Sequence, residues 1–162
     1  MTEENLITHV LTWWSGLEFT KKERNEIRRC KNIYDIQLMT GFYNLKKRLA
    51  DLPQTQIPQN PQLALIVGIL VNVKTSLIST EKMPRQAKTL AKLMSRKKDG
   101  NPTVSPMRFY HILQTTDLNE LYRHLILILP SINNQAFISQ LINDLRFWGD
   151  KVKRSWAESY YL

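Results

Sequence analysis

The sequence predicts an all-α fold, a compact helical bundle of about eight or nine helices in one domain or two closely packed lobes. Three observations carry that expectation. Apolar residues recur at helical spacing along most of the chain. Helix-start signals stand in front of the periodic segments: Thr20 with Glu23, Asn60 with Pro61, Ser105 with Pro106, and Asp117 with Glu120. Finally, 162 residues hold only 5 glycines, few for a strand-and-turn architecture. A chain of this length buries about 70% of its unfolded surface, enough to fold without a staple.

The first element runs from Leu6 to Leu17, where Leu6, Ile7, Val10, Leu11, Trp13, Trp14 and Leu17 share one arc of roughly 160° and both tryptophans read as packing residues. A second helix opens at Thr20, whose spacing to Glu23 is that of a capping box. Along it Lys21, Lys22, Arg24, Asn25, Arg28, Arg29 and Lys31 sweep a basic arc of about 180°, leaving Ile27 and Cys30 as the apolar seam. Such a half-cylinder of cations repels itself, and a polyanion relieves it, so Arg28 and Arg29 read as phosphate contacts with Lys21 and Arg24 beside them.

A third helix is expected over Asp35 to Leu49, burying Ile36, Met39, Phe42 and Tyr43, with Lys46, Lys47 and Arg48 in a last turn where cations complement the helix dipole. Residues 53–61, PQTQIPQNP, form a polar loop with three prolines and the one plausible lobe boundary. Asn60 and Pro61 open a helix over the apolar run Leu63 to Val73; its branched residues also suit a buried strand, but the start signal decides for helix.

From Pro84 the pattern becomes a basic helix in which Arg85, Lys88, Thr89, Lys92 and Arg96 share an arc of roughly 100° while Ala87, Leu90, Ala91, Leu93 and Met94 fill the remainder. It runs out into a charged loop with Lys97 and Lys98, and a cationic face beside a basic loop suits a polyanion, so Arg85, Lys88, Lys92, Arg96, Lys97 and Lys98 are expected nucleic-acid contacts; Ser105-Pro106 starts the next helix, which carries Arg108. Asp117 to Leu129 lines up Leu118, Leu121, Tyr122, Leu125 and Leu129, with Arg123 outside that row. Asn134 to Trp148 lines up Phe137, Ile138, Leu141, Ile142, Leu145 and Trp148, and a last helix after Lys151 keeps Val152, Trp156 and Tyr160 in step.

The charge balance, 23 basic against 14 acidic residues and +9 in sum, points to nucleic acid, an anionic membrane or an acidic protein surface. One cysteine, Cys30, excludes an internal disulfide, the N-terminal Met1-Thr2-Glu3-Glu4 is acidic where a secretory leader is basic, and no apolar run spans a bilayer. Those features lead us to expect a cytoplasmic protein. His9, His111 and His124 are scattered, no metal spacing, glycine-rich phosphate loop or nucleophile elbow occurs, and neither catalysis nor a cofactor or metal is expected.

Read in order, Glu26-Ile27-Arg28-Arg29-Cys30, Gly41-Phe42-Tyr43-Asn44-Leu45, Met107-Arg108-Phe109-Tyr110-His111-Ile112-Leu113, Glu120-Leu121-Tyr122-Arg123-His124-Leu125 and Phe147-Trp148 resemble the CasB family, the small subunit of the type I-E CRISPR Cascade complex. The resemblance covers nearly the whole chain through order and spacing; none of the motifs is specific alone. It implies a non-catalytic, all-helical protein present in two copies beside the backbone subunits and the large subunit, helping to hold the R-loop formed by the target and displaced DNA strands. Residues carried over from it are Arg28 or Arg29, Arg108 and Arg123, whereas Gln114 stands where several members are basic.

The mechanism both lines suggest is a backbone clamp, cations neutralising phosphates while the guide RNA reads sequence. Its rivals are a free-standing helix-turn-helix DNA-binding protein with Arg108 near the start of the recognition helix, and an adaptor docking an acidic protein surface. A membrane-surface role is weaker, because the basic helices lack a large apolar face.

Overall fold

A computed structural model describes residues 5–80 and 82–162; the acidic stretch 1–4 weighed above as a leader lies outside them. Ten α-helices follow one another among the described residues: α1 (Leu6–Gly16), α2 (Lys21–Arg28), α3 (Ile33–Ile36), α4 (Thr40–Leu49), α5 (Asn60–Leu70), α6 (Leu90–Ser95), α7 (Pro106–Gln114), α8 (Leu118–Ile128), α9 (Ile138–Arg146) and α10 (Asp150–Tyr161). Strand pairing among the described residues is confined to two short pairs, parallel β1 (Thr75–Ser76) with β4 (Gln135–Ala136), and antiparallel β2 (Lys97–Lys98) with β3 (Asn101–Pro102). The all-α expectation is borne out.

The bundle is built around α5. Leu63 through Leu70 are all buried, and α3, α8 and α9 pack against them. A helix apolar on every side has nowhere else to go. Pro61 occupies its first turn, where a missing N–H leaves nothing unsatisfied. Gly68 lets α3 and α8 come close: a Cβ there would lie 2.6 Å from both the Ile36 and Tyr122 side chains. The indole N–H of Trp14 donates to the carbonyls of Leu70 (3.0 Å) and Val73 (3.2 Å), fastening α1 to the end of α5, while Trp13 is buried. Both tryptophans therefore pack as expected. Core residues on either side of the loop 53–61, Leu45 and Leu52 before it and Leu63 after it among them, belong to one hydrophobic cluster.

Three sequence expectations change. The capping box at Thr20 does not form: its hydroxyl donates back to the Gly16 carbonyl (3.3 Å), and Glu23 turns inward to accept from Asn44 (3.2 Å). The expected helix over Asp35 to Leu49 is two helices, because Ile33 and Ile36 must face α5 and α8 while Phe42, Leu45 and Leu49 bury on the side of α1 and α2, and one straight helix cannot serve both. Met39 is extended between them, and Tyr43 stays 45% exposed, edge-on to Phe42. The helix expected from Asn134 starts later, at Ile138, since Asn133 and Asn134 take left-handed conformations (φ 62° and 51°) that turn the chain into β4.

Candidate nucleic-acid interface

The α2–α3 connection is short, and α8 holds it at both ends. Tyr122 donates its hydroxyl to the Cys30 carbonyl (2.8 Å), and Asn119 accepts from the backbone N–H of Ile33 (2.9 Å). Burial, and then the neighbouring Cys30, push the Tyr122 hydroxyl up to about 12, so it remains a donor at neutral pH. Within this frame Arg28 closes the last turn of α2 and Arg29 is its C-cap; both are exposed. Arg28 Nε donates to Asn72 Oδ1 (3.3 Å), and Asn72 in turn donates to the Gly68 carbonyl (2.9 Å), so the arginine is anchored near the end of α5 and its outer nitrogens have no partner among the described residues. Arg123 is exposed and follows Tyr122; on the α8 wheel it lies about 40° from Asn119 and about 100° from Tyr122, on the flank beside this connection.

Arg28 and Arg29 thus stand together at the end of α2, Arg123 is carried by the helix that holds this connection, and among the described residues none of the three has a carboxylate partner. Lys31, exposed in the middle of the connection, joins them; the sequence put it on the basic arc but gave no reason to single it out, because only the bonds from α8 fix it there. Lys21 is exposed at the other end of α2. Arg24 does not join the outward arc: it is half-buried, its Nε is enclosed, and its stem lines a hollow with Trp14, Leu17 and Val73, as its position about 60° from buried Ile27 dictates. Arg108 sits separately, exposed in the first turn of α7, where the Ser105 hydroxyl accepts from its backbone N–H (3.3 Å). Next to it Phe109 stacks on Tyr160 (centroids 4.0 Å apart), and α7 also packs on α8.

The basic segment after Pro84 departs most from expectation. It is not one helix. Residues Arg85–Lys88 form a 3-10 turn, Thr89 is extended (ψ 154°) and α6 begins only at Leu90. Thr89, placed by sequence on the cationic face, is fully buried and accepts from the Lys92 N–H (3.2 Å). With three residues per turn before the break and 3.6 after it, Arg85, Lys88, Lys92 and Arg96 make no single stripe. The break lets Leu90, Leu93 and Met94 face α10. Lys88 and Lys92 are half-buried, Arg96 leaves the helix as its C-cap, and Arg85 contacts Asp144 of α9 (Nη2 to Oδ1, 3.5 Å).

The charged loop beyond is a two-residue hairpin in which Asp99 (φ 54°) and Gly100 (φ 83°) both take positive φ. That Asp-Gly pair is the usual signature of such a turn, a signal passed over in the sequence reading. Lys97 and Lys98 are exposed on β2 but point to opposite faces, as successive strand residues do.

Asp144 is the second residue the sequence reading missed. It is fully buried, accepting from Trp156 Nε1 (2.9 Å) and Gln140 Nε2 (2.9 Å) besides Arg85. Burial raises its pKa, and the bonds from Trp156, Gln140 and Arg85 only partly offset this. A lone aspartate inside the apolar row Leu141, Ile142, Leu145, one turn from Gln140, was the available sign.

A family model described as CRISPR-associated protein Cse2 matches residues 23–161, most of the chain. The chain belongs to the Cse2 family. It is a subunit of the type I-E Cascade class, the small-subunit family that the ordered motifs resemble. No match is found among curated proteins or solved structures. The matched range holds every candidate residue except Lys21, so each of the others lies in the part of the chain that this Cse2 match covers. No helix among the described residues is long and apolar enough to cross a membrane.

Proposed function

We propose that this Cascade subunit is a non-catalytic clamp on DNA backbones, with Arg28, Arg29, Lys31 and Arg123 as one set of phosphate contacts and Arg108 as another. The observation that carries the reading is the exposed set of arginines at the α2–α3 connection, unpaired with carboxylates among the described residues and set on a frame tied to α5 and α8. Cations on such a frame neutralise phosphates and read no bases, which leaves sequence choice to the guide. R-loop formation is nearly balanced, so a few such contacts to the target or displaced strand tip it. The partners implied are the backbone subunits, the large subunit and a second copy of this chain.

The test replaces Arg28, Arg29 and Arg108 with alanine in the assembled complex and follows R-loop lifetime against salt. At roughly 0.7 counterions per single-strand contact, losing three contacts lowers the salt slope by about 2. R-loops should be lost faster at physiological salt with the target preference unchanged. An unaltered lifetime and slope would remove the clamp, and sequence-dependent duplex binding by the isolated protein would install the helix-turn-helix reading instead.

A further inference from the structure

Away from the α2–α3 connection, the outer side of α9 forms one wall of a groove. Gln140 and Asn143 line two adjoining cavities, one of about 320 Å³ that reaches Lys88 and one of about 590 Å³ that reaches Arg85, Phe147 and Lys151. Both fall within the roughly 300–1,000 Å³ typical of ligand sites. Three cations and two side-chain amides line the pair, and among the described residues no carboxylate does. Asp144 lies behind the wall, buried, and holds Arg85 through a single nitrogen, leaving the other guanidinium donors to the groove.

Phe147 is the unusual member. At the end of α9 it is 60% exposed, against the trend for so large an apolar ring. Its backbone N–H is held by the Asn143 carbonyl (3.1 Å), and the Arg146 guanidinium stands over its ring (4.7 Å to the centroid). Arg146 is itself fixed by the Thr55 carbonyl (2.8 Å). An exposed ring held beside cations and amides is what an unpaired nucleobase uses: a face to stack on, donors and acceptors for its edge, and cations for the phosphates either side. The Asn143 side-chain amide has no partner among the described residues, and Gln140 spends its N–H on Asp144, leaving its carbonyl oxygen to accept.

We propose that this groove is a base-accepting site for single-stranded DNA, with Phe147 as the stacking platform, Asn143 and Gln140 at the base edge, and Arg85, Lys88 and Lys151 on the flanking phosphates. The inference rests on the reading that the chain handles DNA strands, and adds to it a contact that needs the base itself. Duplex DNA cannot use the site, since its bases are already stacked.

The test compares a fluorescent twelve-nucleotide oligothymidine with an oligonucleotide of equal length carrying abasic sites throughout, both binding the full chain. Stacking on Phe147 makes the thymidine strand bind about tenfold tighter than the abasic one, and Phe147→Ala abolishes most of that ratio. Phe147 is exposed, so the variant folds, which an unchanged Tm verifies. Equal binding of the two strands by the wild type, no binding of either at low salt, or a ratio that survives Phe147→Ala each overturns the proposal. Replacing Arg28, Arg29 and Arg108 separates the two readings: a working clamp weakens both strands together and keeps their ratio, and an ineffective replacement with the ratio intact removes the clamp while leaving the groove.

Discussion

Asp144 tests whether the wall between α9 and α10 is held by a hydrogen bond or by an ion pair. In Asp144→Ala the fully buried Trp156 loses the acceptor of its indole N–H, at about 1–3 kcal/mol for an unsatisfied buried donor. The carboxyl-sized void adds about 1 kcal/mol. Relief from burying a charge offsets part of this, so a net loss of roughly 2–3 kcal/mol is expected, equivalent to a Tm lower by about 5–10 °C. Asp144→Asn keeps the volume and one oxygen for the indole N–H, while its NH2 replaces the oxygen that accepts from Gln140 and from the long, half-exposed Arg85 contact; with the Gln140 amide turned over to accept from it, the cost should be about 1 kcal/mol, less than that of Ala. Thermal unfolding by circular dichroism reads both variants. Equal destabilisation by Ala and Asn would show that the contacts of Arg85 and Gln140 with the other oxygen, not the indole bond, hold the wall, and the reasoning would fail.

The pH dependence gives the same comparison a second reading. Burial raises the Asp144 pKa, so folding favours the neutral acid. That contribution is fully present below the unfolded value of about 3.9 and is lost as pH rises through the folded value. Wild type should therefore gain stability relative to Asp144→Asn as pH falls toward 4, and a constant difference from pH 7 to pH 4 would contradict the direction of the shift.

Three further outcomes follow from the frame of the α2–α3 connection. Tyr122→Phe leaves the Cys30 carbonyl unpaired and should cost about 1–2 kcal/mol, with faster amide exchange confined to residues 29–33; protection unchanged there would mean that α8 does not hold the connection. Gly68→Ala gains about 1 kcal/mol in helix propensity but drives a Cβ to 2.6 Å from the rigid Tyr122 ring, for an overpacking cost of about 1–3 kcal/mol. The variant should be no more stable than wild type in urea and should shift Tyr122 resonances, and clear stabilisation would contradict the close approach. Cys30 has its pKa raised, by burial first and then by Asp35, so it should react with iodoacetamide at pH 8 more slowly than a free thiol does; a rate equal to that of free cysteine would contradict its position against the core.

Helix identity was legible because burying one face leaves a period in the sequence, and caps such as Asp117, which accepts from the N–H groups of Asn119 and Glu120, act within one turn. Breaks were not. Nothing between Asp35 and Leu49 forbids a continuous helix, and Thr89 is a tolerable helix residue; in both places burial against distant helices overruled a locally acceptable continuation. The same cause reshaped the candidate interface. A helical wheel gives the direction of a side chain only while the helix lasts, so the stripe from Arg85 to Arg96 dissolved once the chain bent at Thr89.

By itself the sequence determined that this chain is helical, that it carries a large excess of cations, and that its ordered motifs are those of a Cascade small subunit, because each of these is recorded in composition or in short-range spacing. Only the tertiary structure decided which cations stand together. The connection that follows Arg28 and Arg29 is tied to the helix of Arg123 by the bond from Tyr122 to Cys30, 92 residues apart, while Arg85 is drawn to Asp144, 59 residues away. Contacts over such separations leave no period to read, since they depend on where the intervening chain packs.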